Sequence, residues 1–297
     1  MTYIPGNNLL MLPFDHRASF EKIIELKPGD KPTKDQTKKL EDFKEVIYDA
    51  YLKCLKQGTI SKNESAILAD SQYGKTVLER ASKDGVIFAT CFEKSGKELF
   101  ELQYDDYKKT ISKINPDIIK VLVRMNPEWK REDNQTQLKR LKELFEYTKS
   151  VGKFYLFELL VPATEGQLKK HGKDYDVKER PKLTAKCIQL IHDAGIQPDI
   201  WKLEGLDDIT SVNAVVSSAI DQERKTGVII LGRGESADKV KEWILKAKGV
   251  HGVIGFAVGR TVFLQPLKDL HANKISREVA VKQIADNYST FVNLWKK

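Results

Sequence analysis

Eight short apolar runs, each followed by a helical stretch, constrain this chain more than any other feature. They are Asn8 to Asp15, Ser65 to Asp70, Gly85 to Cys91, Pro116 to Arg124, Lys153 to Leu160, Pro198 to Gly205, Gly227 to Gly232 and Val250 to Val258. None has the strict polar–apolar alternation of a half-solvated antiparallel strand. Each reads as buried on both faces, the pattern of a parallel sheet covered by helices. Helical periodicity fills the intervals. From Asp35 to Leu55 it is carried by Leu40, Phe43, Val46, Ile47, Ala50, Tyr51 and Cys54 at spacings of three and four. Further helices are predicted over Val77 to Ser82, Tyr104 to Ile114, Gln135 to Ser150, Pro181 to Ala194, Asp207 to Arg224, Ser236 to Lys246, Thr261 to His271 and Ser276 to Trp295. The polar segment Val161 to Arg180 reads as a long connection, of the kind that is functional or mobile and closes over a site. Eight such repeats in 297 residues predict an α/β chain folded as a single (β/α)₈ TIM barrel over residues 1–297, since such barrels reach roughly 200–250 residues or more as one unit. No Gly-x-Gly-x-x-Gly opens a helix, which removes the main reason to prefer an open dinucleotide-binding sheet.

In such a barrel, catalytic groups sit at the C-terminal ends of the strands, and here those ends are polar. They carry Asp15, His16 and Arg17, then Asp70, Lys120 and Arg124, Glu158, Lys202 and Glu204, Gly232-Arg233-Gly234, and Gly259-Arg260. Lys120 stands inside Ile118-Ile119-Lys120-Val121-Leu122-Val123, and Glu158 inside Phe154 to Leu160. Buried lysines and glutamates are rare unless paired. Alternate strand residues face opposite ways. Lys202 therefore shares a face with Ile200 and Glu204, and Lys120 falls in one interior layer with Lys202, with Glu158 on the strand between. Bland readings stand beside several of these. Asp70 suits a helix cap or an arginine partner, Arg124 a structural acid, and His16 a hydrogen-bonded structural role. Glu204 either pairs with Arg124 or touches substrate.

Two lysines and a carboxylate at one site suit imine chemistry. An amine attacks a ketone only when neutral, and the free lysine pKa is about 10.4. Burial and a neighbouring cation lower it to roughly 7–8. The glycine turns after the seventh and eighth strands suit a phosphate, because free backbone N–H groups there bind an anion. Gly232, Gly234 and Gly259 permit close approach while Arg233 or Arg260 supplies charge.

Other classes are disfavoured. Fifty Lys and Arg against 42 Asp and Glu give +8, but the charges are interspersed, which favours anionic substrates over a nucleic-acid stripe. Cys54, Cys91 and Cys187 are odd in number and lack a C-x-x-C pair, so reduced thiols in a cytoplasmic protein are expected. The five histidines form no metal-ligand spacing, and no metal or cofactor is expected. Met1 to Gly6 lacks the pattern of a signal peptide, and no run approaches the roughly 18 apolar residues of a membrane helix.

Leu12-Pro13-Phe14-Asp15-His16-Arg17, Lys120-Val121-Leu122-Val123-Arg124, Phe157-Glu158-Leu159-Leu160-Val161-Pro162, Arg180-Pro181-Lys182-Leu183-Thr184, Pro198 to Gly205 and Val258-Gly259-Arg260-Thr261 together resemble the aldolase-like domain of bacterial inositol catabolism. That domain is also found fused behind the deoxygluconokinase of the pathway and is related to class I tagatose-bisphosphate aldolases. The kinase is not part of these residues, which points to a stand-alone version. The resemblance implies a Schiff-base aldolase in a (β/α)₈ barrel. It assigns Lys202 as the imine-forming lysine, Lys120 as the second active-site lysine, Glu158 as acid/base, Asp15 and Arg17 as the Asp-x-Arg of the first strand, and Gly259-Arg260 as the phosphate side. The substrate implied is 2-deoxy-5-keto-gluconate 6-phosphate, cleaved to dihydroxyacetone phosphate and malonate semialdehyde. The tagatose enzymes carry Asp-Gln-Arg-Gly where Asp15-His16-Arg17-Ala18 stands, and Val-Glu-Val-Pro where Leu203-Glu204-Gly205-Leu206 follows the lysine.

In the expected reaction Lys202 attacks the ketone, Lys120 lowers its pKa, Glu158 and Asp15 move protons, and Arg17, Asp70, Arg124 and Glu204 contact substrate. Gly232, Arg233, Gly234, Gly259 and Arg260 hold the phosphate. The partners expected are the phosphorylated keto sugar and, compatibly, a second copy of the chain. The alternatives are another ketose-bisphosphate aldolase of the tagatose or fructose type, a non-catalytic barrel that binds a sugar phosphate and regulates a kinase, and a metal-dependent aldolase, which the missing histidine cluster disfavours.

Overall fold

The computed structural model describes residues 7–27, 29–220 and 225–297. Eight strands, β1 Leu9–Pro13, β2 Ser65–Ala69, β3 Phe88–Cys91, β4 Ile118–Arg124, β5 Phe154–Leu160, β6 Ile200–Glu204, β7 Gly227–Leu231 and β8 Val253–Ala257, pair in parallel around a closed ring in sequence order. The helices are α1 Ala18–Glu21, α2 Lys34–Lys56, α3 Lys75–Asp84, α4 Tyr107–Ile114, α5 Arg131–Ser150, α6 Glu165–His171, α7 Tyr175–Lys178, α8 Arg180–Asp193, α9 Ile209–Ala219, α10 Ala237–Ala247, α11 Arg260–His271 and α12 Arg277–Lys296. This is a (β/α)₈ barrel. None of the helices in the described residues is long and apolar enough to cross a membrane.

Strand parity divides the apolar material into layers. Ile119, Val121, Val123, Tyr155, Phe157, Leu159, Trp201 and Leu203 face outward and pack with Leu141, Leu144, Ile188 and Val216 of the surrounding helices. The opposite parity fills the barrel. Leu9, Met11, Leu68, Ile118, Leu156, Ile200, Ile229 and Ile254 plug its lower part. Above that plug the same inward rows turn polar, with Lys120, Glu158, Lys202 and Glu204. Burying the apolar rows drives closure at about 25 cal/mol per Å², while the polar upper layer must be paired to be tolerated.

Two expectations shift. Residues 161–180 are not a loop: α6, a 3₁₀ turn at Gly172–Asp174 and α7 occupy most of them. Thr164 caps α6 reciprocally with Gln167, accepting from its amide at 3.2 Å while the glutamine side chain accepts from the Thr164 amide at 2.9 Å. Both helices are shorter than the span in which an apolar stripe becomes visible, so their charges read as loop. The excursion is also tied down. Asn126 Nδ2 donates to the Pro162 carbonyl at 2.9 Å and to Gln167 Oε1 at 2.8 Å, and the Tyr175 hydroxyl donates to the Val161 carbonyl at 2.9 Å. The helix predicted over Asp207 to Arg224 begins at Ile209 and extends to Ala219; residues 221–224 of that expectation, like Met1 to Gly6, lie outside the described residues.

Candidate active site

The register explains which inward side chains meet. Lys202 lies opposite Glu158, and Glu158 opposite Leu122, whereas Lys120 lies opposite Leu156. A barrel of this kind advances about one residue per strand at constant height. Lys120 on β4 and Lys202 on β6 thus come level, with Glu158 slightly above and between them. The side chains close the arrangement: Lys202 Nζ is 2.8 Å from Glu158 Oε1, and Lys120 Nζ is 3.1 Å from Glu158 Oε2. One carboxylate bridges both ammonium groups, on side chains of residues that are 1% (Lys120) and 4% (Lys202) exposed.

Lys120 has two further partners, Asp15 Oδ2 at 2.8 Å and Glu93 Oε1 at 2.5 Å. Burial disfavours its charge, but the three carboxylates prevail and hold its pKa well above the ordinary lysine value. The same contacts act on the acids. Burial pulls Asp15 upward, yet Lys120 and Lys202 keep it well below the usual carboxylate range. Burial likewise opposes ionisation of Glu158, and Lys202 and Lys120 lower it. For Glu93, burial wins over Lys120 and its carboxyl is raised. The Lys120 charge is thus engaged by three carboxylates, and the lysine ties together Asp15, Glu93 and Glu158. Among the described residues, Asp15, Cys91 and Glu93 have metal-ligand spacing, but the Lys120 ammonium already sits between the two carboxylates.

A cavity of about 670 Å³ opens above this cluster, lined by His16, Arg124, Glu158, Lys202, Glu204, Gly232, Arg233, Gly234, Gly259 and Arg260, with α7 and the β5–α6 turn as one wall. The glycine turns behave as their residue types require. An added Cβ at Gly259 would stand 2.0 Å from the Pro13 carbonyl oxygen, so only glycine lets β8 end against β1. Gly234 has φ +83, and an added Cβ there would strike the Arg260 guanidinium, which donates Nη2 to the Arg233 carbonyl. Among the described residues no carboxylate lies within 4.0 Å of Arg260, leaving its charge available to an anion.

Other expectations are redistributed. Asp70 is not on the cavity wall. Its Oδ2 accepts from the amides of Gln72 at 3.0 Å and Tyr73 at 2.8 Å, and its Oδ1 lies 2.7 Å from Lys44 Nζ, with both side chains 0% exposed. Lys44, from the middle of α2, also donates to the His16 carbonyl at 2.8 Å and to that of Phe14. Asp70 holds the turn before α3 and pairs with Lys44, and it lines neither lobe of the cavity. Glu204 pairs with Arg233, not Arg124: Arg233 Nε is 3.0 Å from its Oε1, and Arg233 Nη1 is 3.0 Å from Asp176 Oδ2. Arg233 thus lines the cavity with its charge already matched, whereas Arg260 lines it without a carboxylate partner among the described residues.

A family model described as "Uncharacterized protein conserved in bacteria (DUF2090)" matches residues 5–297. The chain belongs to the DUF2090 family. No curated protein matches it in sequence. Among solved structures, this DUF2090 chain is similar to Cgl0159 from Corynebacterium glutamicum (15% identity, 98% of this chain and 88% of that one, TM-score 0.59). It is also similar to an archaeal fructose 1,6-bisphosphate aldolase (12% identity, 97% and 95% covered, TM-score 0.57). A third is an archaeal aldolase of the same kind with its catalytic lysine covalently bound to the carbinolamine intermediate of the substrate (13%, 99% and 95%, TM-score 0.58). At these identities the likeness is one of fold.

Two ionisable residues next to the Lys120–Glu158–Lys202 cluster lie outside the set expected to act on substrate. Glu93 lies two residues past β3, but at the parity of Ala89 and Cys91, which was the available signal. His16 lines the cavity beside Lys202, and its Nδ1 is 3.9 Å from Asp15 Oδ1, buried and without a hydrogen-bond partner among the described residues. Burial, with the charges of Lys202, Arg260 and Lys44, outweighs Asp15 and pushes its pKa down to about 4. The imidazole is then neutral from about pH 5 upward. The sign follows from linkage: the stability it lends is complete above about pH 6.5 and is lost as pH falls toward 4. Imidazole NMR of the wild type against His16→Asn is expected to assign a midpoint near 4; a midpoint at about 6 or above contradicts this environment.

Proposed function

We propose that this chain is a class I aldolase, a single barrel domain over residues 1–297 that cleaves a phosphorylated keto sugar through an imine on Lys202. The observation that carries the reading is the buried Lys202 ammonium, 2.8 Å from one oxygen of Glu158 at the floor of a cavity rimmed by cationic and glycine turns. Glu158 is placed to take the ammonium proton, and the freed amine attacks the ketone carbon. The resulting carbinolamine loses its hydroxyl as water with a proton returned from Glu158, giving a protonated imine. That cation is the electron sink. A carboxylate, Asp15 or Glu158, removes the proton from the hydroxyl on the carbon of the scissile bond that becomes the aldehyde. The C–C bonding pair then forms the enamine double bond, the C=N pair falls back onto nitrogen, and an aldehyde departs. Protonation of the enamine carbon and hydrolysis by water regenerate Lys202. Lys120 fixes Asp15 and Glu158 in place, and preorganised charge of this kind supplies much of an enzyme's rate. Arg260, Gly232, Gly234 and Gly259 surround the phosphate, with Arg17, Arg124 and Glu204 toward the sugar.

The substrate that fits the resemblance is 2-deoxy-5-keto-gluconate 6-phosphate, giving dihydroxyacetone phosphate and malonate semialdehyde. A cytoplasmic protein without cofactor, working in inositol catabolism, accords with it. Borohydride added with dihydroxyacetone phosphate is expected to fix the mass of the reduced adduct on the Lys202 peptide. An adduct absent there, or one that persists in Lys202→Ala, overturns the proposal.

A further inference from the structure

Once the aldehyde has left, the enamine carbon on Lys202 needs a proton donor. The two carboxylates nearest the lysine are poorly placed for that. Glu158 lies against the nitrogen, with Oε1 2.8 Å from Lys202 Nζ and Oε2 3.1 Å from Lys120 Nζ. Asp15 lies deeper, with a side chain 9% exposed and Oδ2 2.8 Å from Lys120 Nζ. A second lobe of the cavity, of about 190 Å³, adjoins the first, and Asp15 lines only this smaller one. His16 borders both lobes, as do Glu158 and Lys202. Its imidazole thus reaches from the side of Asp15 to the side of Arg260 and the glycine turns.

The ring is held and has two unlike edges. Lys44 Nζ donates to the His16 carbonyl at 2.8 Å, and Phe263 packs edge-on with its ring centroid 6.1 Å away. Nδ1 is buried, 3.9 Å from Asp15 Oδ1, with no hydrogen-bond partner among the described residues. The side chain as a whole is 27% exposed and faces the cavity, so Nε2 is the nitrogen left to meet a ligand. A neutral imidazole has one N–H and one bare nitrogen. It can therefore take a proton at one edge and give one at the other with no change of charge. Burial, with the charges of Lys202, Arg260 and Lys44, outweighs Asp15 and opposes the imidazolium, which favours that kind of transfer.

We infer that His16 is a catalytic residue, the relay that carries a proton from the Asp15 carboxyl to the enamine carbon on Lys202. This rests on the aldolase reading and assigns the carbon-protonation step within it. Asp15 holds the proton taken from the substrate hydroxyl. That proton passes to Nδ1 as Nε2 gives its own proton to the enamine carbon. The enamine double-bond pair becomes the new C–H bond, the nitrogen lone pair re-forms C=N, and the protonated imine results. Asp15 is again a carboxylate, and the imidazole is still neutral with its N–H on Nδ1. Water in the cavity returns it to the Nε2–H form. The gap to Asp15 must close by about 1 Å to become a hydrogen bond, and catalytic contacts commonly tighten only when substrate is bound.

Hydrogen exchange on dihydroxyacetone phosphate tests the step without an aldehyde. In heavy water the imine loses a proton from its hydroxymethyl carbon and takes back a deuteron, which NMR follows. Borohydride trapping on Lys202 measures the imine in parallel. His16→Asn retains a polar atom near the Nδ1 position and has nothing at Nε2. The ratio of exchange rate to trapped imine is expected to fall by at least about tenfold, since general acid–base groups are worth about 10²–10⁴. A merely structural role lowers exchange and trapping together, so a ratio within about tenfold of wild type overturns the relay. The wild type gives a second reading that stands even if the variant fails to fold. A donor fixed on one face replaces one of the two hydrogens on that carbon at least about tenfold faster than the other. A smaller difference, or no exchange at all while the imine is still trapped, removes the relay alone. No trapped imine in the wild type removes the aldolase reading and the relay with it.

Discussion

Lys202→Met is expected to lower aldol cleavage by about 10⁴–10⁶-fold, the range for deleting a covalent nucleophile. Methionine fills nearly the same volume but has no amine to form the imine, so the electron sink is lost and not merely weakened. The fold is expected to survive the change. Glu158 keeps Lys120 at 3.1 Å after Lys202 is removed, and one buried ammonium fewer lowers the desolvation cost. Circular dichroism and a thermal midpoint within a few degrees of wild type therefore accompany the loss, which separates chemistry from unfolding. The measurement is the rate of dihydroxyacetone phosphate release. Activity above about one hundredth of wild type in a folded Lys202→Met protein contradicts an imine mechanism.

Lys120→Met is expected to act on both stability and rate, because this lysine is the shared counter-charge of Asp15, Glu93 and Glu158. Breaking a buried pair by removing one partner costs about 3–5 kcal/mol, which corresponds to a fall in Tm of roughly 6–20 °C. The pH dependence should also reverse. In the wild type, Asp15 and Glu158 have lowered pKa values, so their stabilisation is complete above the usual carboxylate range of about 4 and is lost as pH falls through it. In the variant the same carboxyls are desolvated and face one another, which raises them. The folded state then binds the extra protons, and stability increases as pH falls from about 7.5 to about 5. Glu93, raised by burial already in the wild type, loses the Lys120 contact that lowers it and so rises further in the variant, adding to the same trend. Tm recorded at about pH 5, 6 and 7.5 for the two proteins is the check, and parallel pH trends would contradict the anchoring role.

The barrel is legible in the sequence because its strands are buried on both sides. Continuous apolar runs at regular intervals admit few other folds, and parity on β4, β5 and β6 is enough to bring Lys120, Glu158 and Lys202 together. What escapes is of two kinds. Lys44 lies in a helix so rich in charge that one inward lysine carries no distinguishing pattern. Asp70 is consequently left without its partner and reads as a substrate contact. Asp176 and the excursion that bears it are helices of seven and four residues, too short for periodicity to be visible. Ion-pair choice is the other blind spot. Whether Glu204 meets Arg124 or Arg233 depends on loop geometry after β7, where Arg233 adopts φ +52, and strand parity has no bearing on that.

The tether made by Lys44 has a kinetic meaning. Its ammonium binds the carbonyls of Phe14 and His16 and the carboxylate of Asp70, joining the ends of β1 and β2 to the middle of α2. Asp15 and Arg17, which face the cavity, are thus held from behind by the first βαβ unit and not by the loop that carries them. A local fluctuation that frees them must break a fully buried charge pair, so it costs nearly as much as unfolding that unit. Hydrogen exchange at the Phe14 amide, which donates to the Leu68 carbonyl, should accordingly follow the opening of β1, α2 and β2 together, with protection well above that of an ordinary strand-end turn. The position of Asp15 is therefore fixed only when β1, α2 and β2 have docked together.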